Sequence, residues 1–221
     1  MGGRGTFVVG DVHGCLDELE ALLKKAEVGR KDRLVFVGDL VAKGPDSQGV
    51  VQLARERGAL AVLGNHDAHV LDGRAGAKTL KGTHARVADA LKPKDWAWLE
   101  ALPLWLSFPE LDAVVVHGGL LPGTPLAAQP RHVLLNLRSF DEQGQPHARV
   151  DAGVPWASRW PGPTRVVFGH DALRGLQRHP HALGLDTGCV YGKRLTGVWL
   201  GSDEVVGVDA RREYSKPTGP S

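Results

Sequence analysis

The sequence predicts an α/β protein, and three observations carry that class. Five aliphatic runs each end on a residue of metal-ligand type: residues 6–9 lead into GDVHG at 10–14, RLVFVG into Asp39, LAVLG into Asn65 and His66, AVVV into His117, and RVVFG into His170. Over the first part of the chain such runs alternate with amphipathic segments in a β-α-β-α-β order. From Leu104 onward the texture changes to short strands. Because ligands of α/β sheets gather beyond the carboxyl ends of strands, the five runs bring two Asp, an Asn and several His to one place.

Taken in order, the first strand spans 6–9. Residues 15–28 then place Leu16, Leu19, Leu22 and Leu23 on one helical face with charges opposite. A strand at 33–37 delivers GDLVAKGPDS, and a helix over 47–57 follows with Asp46 or Ser47 as its cap. The strand at 59–63 delivers GNHD, after which the pattern turns helical, with helices at 83–91 and 93–102. The second of these begins with Pro93 in its first turn and carries Trp96 and Trp98 as packing residues. Strands are expected at 104–108, 113–116, 164–168, 182–186, 195–200 and 204–208. Between His117 and Thr164 lies a Pro-, Gly- and Gln-rich stretch with one short helix at 130–137, a texture that suits an irregular functional segment. The chain reads as one domain over 1–212 with a flexible tail at 213–221.

Composition narrows the function. With 221 residues, 42% apolar and 24% charged, the chain has material for one substantial core. No apolar run approaches the roughly 20 residues of a membrane helix, so no membrane partner is expected. A net charge of +2 without a Lys/Arg run argues against a nucleic-acid duplex as partner, and any anion must be held by a local site. Two cysteines, Cys15 and Cys189, form neither a disulfide framework nor a zinc spacing, and with no secretory signal the expected compartment is the cytoplasm.

Asp11, His13, Asp39, Asn65, His117 and His170 offer oxygen and nitrogen donors without thiolate, which suits Mn, Fe, Co, Ni or Zn. One ion rarely uses six ligands. Two ions about 3.5 to 4 Å apart that share a carboxylate would use all six, and can activate a water between them. Two carboxylates and a hydroxide carry three negative charges against four positive, so such a site attracts phosphate. Glycines at 10, 38, 64, 118, 119 and 169 flank the set and allow close backbone approach. A lone histidine beside a strand is normally a packing or surface residue, and His84, His132, His147, His179 and His181 are read that way.

The motifs GDVHG, GDLVAKG, GNHD, HGG and GH resemble, in order, the signature of the phosphoprotein phosphatase branch of the calcineurin-like metallophosphoesterases. GDLVAKGPDS, GNHDAHVL, FGHDA and LDTGC are closest to the symmetrical diadenosine tetraphosphatases and their relatives within it. The resemblance implies a sandwich of two mixed sheets flanked by helices, and a dinuclear centre commonly filled by manganese. It also implies hydrolysis by metal-bound hydroxide. By motif it assigns Asp11, His13 and Asp39 to the first ion and Asp39, Asn65, His117 and His170 to the second, so that Asp39 bridges. His66 becomes the general acid, and Asp67, Lys43 and Arg138 are placed on substrate, with Arg159 in reserve.

Two departures accompany the resemblance. Ala42 and Lys43 stand where protein phosphatases carry Asp-Arg, which removes the carboxylate that would orient His66 and replaces a bidentate guanidinium by an ammonium. The expected reaction is cleavage of diadenosine tetraphosphate to two ADP. Hydrolysis of phosphoserine, phosphothreonine or phosphotyrosine in proteins is the alternative.

Overall fold

The computed structural model describes residues 5–217. The first sheet is built around β1 (Thr6–Val9), whose four residues TFVV are all buried. Parallel to it runs β2 (Arg33–Phe36) and, at one edge, the short β3 (Leu60–Ala61). The second half of the chain supplies five further strands to a second sheet: β4 (Trp105–Phe108), β5 (Ala113–Val116), β9 (Arg165–Phe168), β10 (Gln177–His179) and β11 (Ala182–Gly184). Its order is β10-β11-β9-β5-β4, with β9 parallel to both β5 and β11 and the two edges antiparallel. The chain then returns to the first sheet through β12 (Arg194–Trp199) and β13 (Val205–Asp209), giving the order β13-β12-β1-β2-β3.

Period-two alternation decides the layers. Val8, Val35 and Val198 of the first sheet pack with Val115, Val167 and Leu183 of the second in a buried interlayer core. Phe7, Leu34 and Phe36 point the other way, onto Leu19, Leu22 and Leu23 of α1 (Leu16–Lys25) and Val50, Val51 and Ala54 of α2 (Ser47–Glu56). The outer face of the second sheet, with Val114, Val116, Val166 and Phe168, is covered by Trp156 and by Val133 and Leu134 of α6 (Arg131–Asn136). The result is the expected sandwich of two mixed sheets flanked by helices.

The remaining helices are α3 (Asn65–Arg74), α4 (Gly82–Ala90) and α5 (Pro93–Glu100). Local chemistry sets their ends. Asp46 caps α2 by accepting the Gly49 amide at 2.7 Å, Pro93 opens α5, and α1 stops short of the expected residue 28 because Glu27 turns left-handed. Trp96 is buried in the core between α5 and its neighbours α2 and α3, as a packing residue should be.

Three differences from the sequence expectation have physical reasons. The strand at 59–63 shrinks to two residues because Leu63 leaves the ladder to bond the Pro103 carbonyl. The stretch between His117 and Thr164 is more ordered than its composition suggests, for it holds a small sheet in which β6 (Ser139–Phe140) pairs with β7 (Pro146–His147) and β8 (Val154–Pro155). Two-residue strands carry no readable periodicity. Finally, the tail expected to be flexible from 213 is tied down over its described part. The Tyr214 and Ser215 amides donate to the Val190 carbonyl and the Tyr214 hydroxyl to Glu18 at 2.7 Å; residues 218–221 lie outside the described residues.

Candidate metal centre

The ends of β1, β2 and β9 and the start of α3 converge on one cleft of about 250 Å³, with His117 at the end of β5 fully buried against Asn65. β1 runs into Asp11 and His13, β2 into Asp39, β5 into His117 and β9 into His170, while α3 begins at Asn65. The turns carrying these residues are unusual. His13, Asp39, Ala42, Lys43 and His170 all have positive φ, between 48° and 70°, a conformation that costs non-glycine residues about 1–3 kcal/mol each. They are held there by mutual backbone bonds, from the His13 amide to the Asp39 carbonyl, Gly14 to Leu40, and Gly44 to His13. The glycines act by what they lack: a Cβ at Gly64 would overlap the Asp39 carboxylate, and one at Gly169 the Asp11 carboxylate.

Asp39 is the shared member of two clusters, His13–Asp39–His66 and Asp39–His117–His170, buried except for the half-buried His66, and within each the possible ligand atoms lie within 4.8 Å of one another. Its Oδ2 stands 3.4 Å from His13 Nε2 and 3.5 Å from His117 Nε2. Its Oδ1 accepts the His66 amide at 2.9 Å. Asn65 Oδ1 lies 2.9 Å from His117 Nε2 and 3.1 Å from His170 Nδ1. Each of these histidines donates its far nitrogen to a carbonyl: His13 Nδ1 to Val41 at 3.0 Å, His117 Nδ1 to Val37 at 2.9 Å, and His170 Nε2 to Asn136 at 3.2 Å. A carbonyl can only accept, so in the neutral ring the lone pair faces the centre, the tautomer that metal ligation requires.

Protonation fits the same reading. Burial, first of all, holds the His13, His117 and His170 imidazoles below their usual range, hence neutral. Burial opposes charge on Asp39 too, but the surrounding His117, His66, His13 and Lys43 outweigh it and keep the carboxylate ionised. Asp11 is different. Burial, followed by the carboxylates of Asp186 and Asp39, pushes it well above the usual range. Lone pairs facing lone pairs, and three buried carboxylates around one lysine, form a donor set that divalent cations would satisfy and that the protein alone leaves repulsive.

Residues 6–207 match the family model for calcineurin-like phosphoesterase. The chain belongs to that family. Among curated relatives, it is 30% identical to the symmetrical bis(5'-nucleosyl)-tetraphosphatase of Aromatoleum aromaticum, over 94% of this chain and 97% of that one. It is equally 30% identical to the asymmetrical bis(5'-nucleosyl)-tetraphosphatase PrpE of Oceanobacillus iheyensis, over 94% and 93%. A solved structure described as a candidate diadenosine tetraphosphatase superposes with a TM-score of 0.87 at 39% identity, covering 94% of each chain. A serine/threonine phosphatase of Saccharomyces cerevisiae, at 18% identity and a TM-score of 0.61, shares the fold.

Within this calcineurin-like frame His13, Asp39, His117 and His170 fall in the two tight clusters and Asn65 touches the second. Asp11 is turned aside from the tight clusters, with its carboxylate accepting the His170 amide at 3.1 Å. Lys43 lines the cleft, with Nζ 3.2 Å from His13 Nε2 and 2.8 Å from the Tyr191 hydroxyl, and Arg138 lines it while donating to the carbonyls of Ala148 and His170. Arg159 is exposed and outside the cleft lining. Asp67 requires a correction. Expected on substrate, it is fully buried and its carboxylate accepts the amides of Leu40, Val41 and Gly64. Burial, then Asp39, raises it to about 7.

Sequence reasoning missed three residues. Asp186, buried at the cleft, ends the strand run inside the quoted LDTGC, and that position was its signal. Tyr191 holds Lys43 and has no sequence signal. His84, read as bland, sits 2.9 Å from His66.

Proposed function

We propose that the protein is a metal-dependent hydrolase that cleaves diadenosine tetraphosphate symmetrically to two ADP. The observation that carries this reading is the match to bis(5'-nucleosyl)-tetraphosphatases across more than nine-tenths of the chain, joined to a donor set that two cations would satisfy. Asp11, His13 and Asp39 are assigned to one ion and Asp39, Asn65, His117 and His170 to the other, with manganese as the metal of choice. When bound, the pair supplies an activated water and neutralises phosphate charge.

The chain's own residues supply the rest. Lys43 and Arg138 line the cleft as fixed positive groups for the phosphates beyond the scissile one. On the far side of His66 lies a second, more open hollow of about 570 Å³, which shares Asn65, His66 and Asn136 with the cleft and adds Arg131, His69 and His132. A substrate with two similar arms on either side of the broken bond suits two hollows that meet at His66, one carrying Lys43 and Arg138 and the other Arg131. His66 is placed to give a proton to the departing diphosphate oxygen. Leu173 and Val150 add apolar wall to the cleft.

Product analysis tests this. Manganese-loaded protein and diadenosine tetraphosphate should yield ADP as the sole nucleotide product. AMP and ATP in equal amounts would replace the symmetrical reading by the asymmetrical one, which the PrpE relative favours. Turnover of phosphopeptides in preference to the dinucleotide would replace both.

A further inference from the structure

His66 has no carboxylate behind it, yet its ring is not free. His66 Nδ1 lies 2.9 Å from His84 Nε2. The two rings are inclined by only 5° with centroids 5.1 Å apart. Nearly parallel rings at that centroid spacing whose nitrogens meet at 2.9 Å lie edge to edge, so the contact is an in-plane hydrogen bond and not a face-to-face stack. His84 projects from the first turn of α4 and is braced in turn by His69 of α3, with ring centroids 4.5 Å apart. α4 packs more extensively on α3 than on α2, so the brace is built into a helix pair and not into a loop.

We propose that His84 is the positioning residue for His66. It accepts the Nδ1 proton and thereby turns Nε2, with the proton it gives up, toward the cleft. The inference rests on the reading of His66 as proton donor. As the oxygen of the attacking water bonds to phosphorus and the bond from phosphorus to the bridging oxygen breaks, His66, which enters the step as the imidazolium, passes its Nε2 proton to the departing oxygen and is left as the neutral ring, and the proton shed by the water restores the imidazolium. The Nδ1–H···Nε2 bond to His84 is kept throughout, and His84 neither gains nor loses a proton. Burial, followed by His69 and Lys43, lowers the His84 pKa and leaves it the neutral acceptor this needs. A neutral imidazole stabilises an imidazolium less than a carboxylate does. That weaker partner is adequate for a leaving group as weakly basic as a nucleoside diphosphate, and it explains how the chain works with Ala42 at the position of the usual acid.

A double-mutant cycle on the manganese-loaded protein decides the matter. His84→Leu, which keeps volume, should lower kcat on diadenosine tetraphosphate by about tenfold, a fraction of what acid catalysis contributes, with KM changed by less than about twofold. His84→Gln, whose amide oxygen can take the place of Nε2, should recover most of the loss. In a His66→Asn background His84→Leu should cost nothing further, because a residue that acts through another is silent once the other is gone. Additive losses, or a Gln variant as poor as Leu, would overturn the proposal and show that His84 only packs α3 against α4. A His66→Asn variant with full activity would instead remove the acid role of His66, and this inference with it. If diadenosine tetraphosphate is not turned over at all, the substrate reading falls and the same cycle on nitrophenyl phosphate still tests His84.

Discussion

Asp39 belongs to both ligand clusters, while every other ligand belongs to one at most. Removing its charge should therefore disturb both ions, whereas Asn65 touches only the second cluster. Asp39→Asn is expected to cost more activity than Asn65→Ala and to leave the circular dichroism spectrum unchanged. Metal analysis gives the check: about two ions per chain in the wild type and fewer in Asp39→Asn, while full activity at one ion per chain would end the dinuclear reading. Lys43 makes a second case. A charged hydrogen bond is worth about 1.5–3 kcal/mol, so Lys43→Ala should reduce kcat/KM on the tetraphosphate by about tenfold or more, and on an aryl phosphate, which lacks the outer charges, by much less. Equal losses would place Lys43 on the scissile phosphate alone. At this scale the six candidate ligands were legible because each follows the end of an aliphatic run, where period and burial coincide with donor chemistry. Asp67 was misread for the same reason: its motif neighbours face the cleft, but the third residue of a helix faces back to its own cap. His84 was illegible, since its meaning comes from a helix pair that meets only in the fold.

Elements position the site through their ends. Asp67, in the first turn of α3, reaches across to the amides of Leu40 and Val41 and so fastens the turn after β2 that carries Asp39 and Lys43. Asp67→Ala would orphan three amides in the interior, at about 1–3 kcal/mol per buried unsatisfied donor. A urea titration should show about 3 kcal/mol or more of lost stability; a loss below about 1 kcal/mol would mean that the turn holds without its cap. The C-terminal segment is a second such fastener. Glu213 bridges Tyr191, Tyr214 and Ser215 bind the Val190 carbonyl, and Tyr191 in turn carries Lys43. Truncation after Arg212 should raise KM for the tetraphosphate several-fold with little change in kcat, and unchanged KM would show that Tyr191 holds its place alone. The two main sheets were readable from their β-branched runs, except for the edge strand β10, whose sequence Gln-Arg-His contains none. The small β6–β8 sheet and this docked segment were not, because both are held by backbone bonds to remote residues.

For the whole molecule, the same buried groups that select cations set the response to pH. In the metal-free protein, Asp67 and Asp186 are raised to about 7 and about 6, and Asp11 is raised as well. Burial is the first cause in each, and the unfolded value is about 3.9. The native state therefore binds more protons than the unfolded chain between about pH 4 and pH 7, so these carboxyls make stability fall as pH rises through that window. The histidines have the opposite sign. His66 is lowered to about 4, chiefly by burial, and His13, His117 and His170 are also lowered. The unfolded chain then takes the extra protons below about pH 6.5, and stability is lost as pH falls. Bound cations relieve the first effect at Asp11 and Asp186, which line the cleft, by taking the place of their protons. They leave the second alone, because His13, His117 and His170 are already neutral in the metal-free native state. The rise in melting temperature on adding manganese to chelator-treated protein should accordingly be larger at pH 8 than at pH 5.5. A manganese-induced shift that stays constant across this range would show that the buried carboxyls do not exchange protons for metal, and that the cations are held by the imidazoles alone.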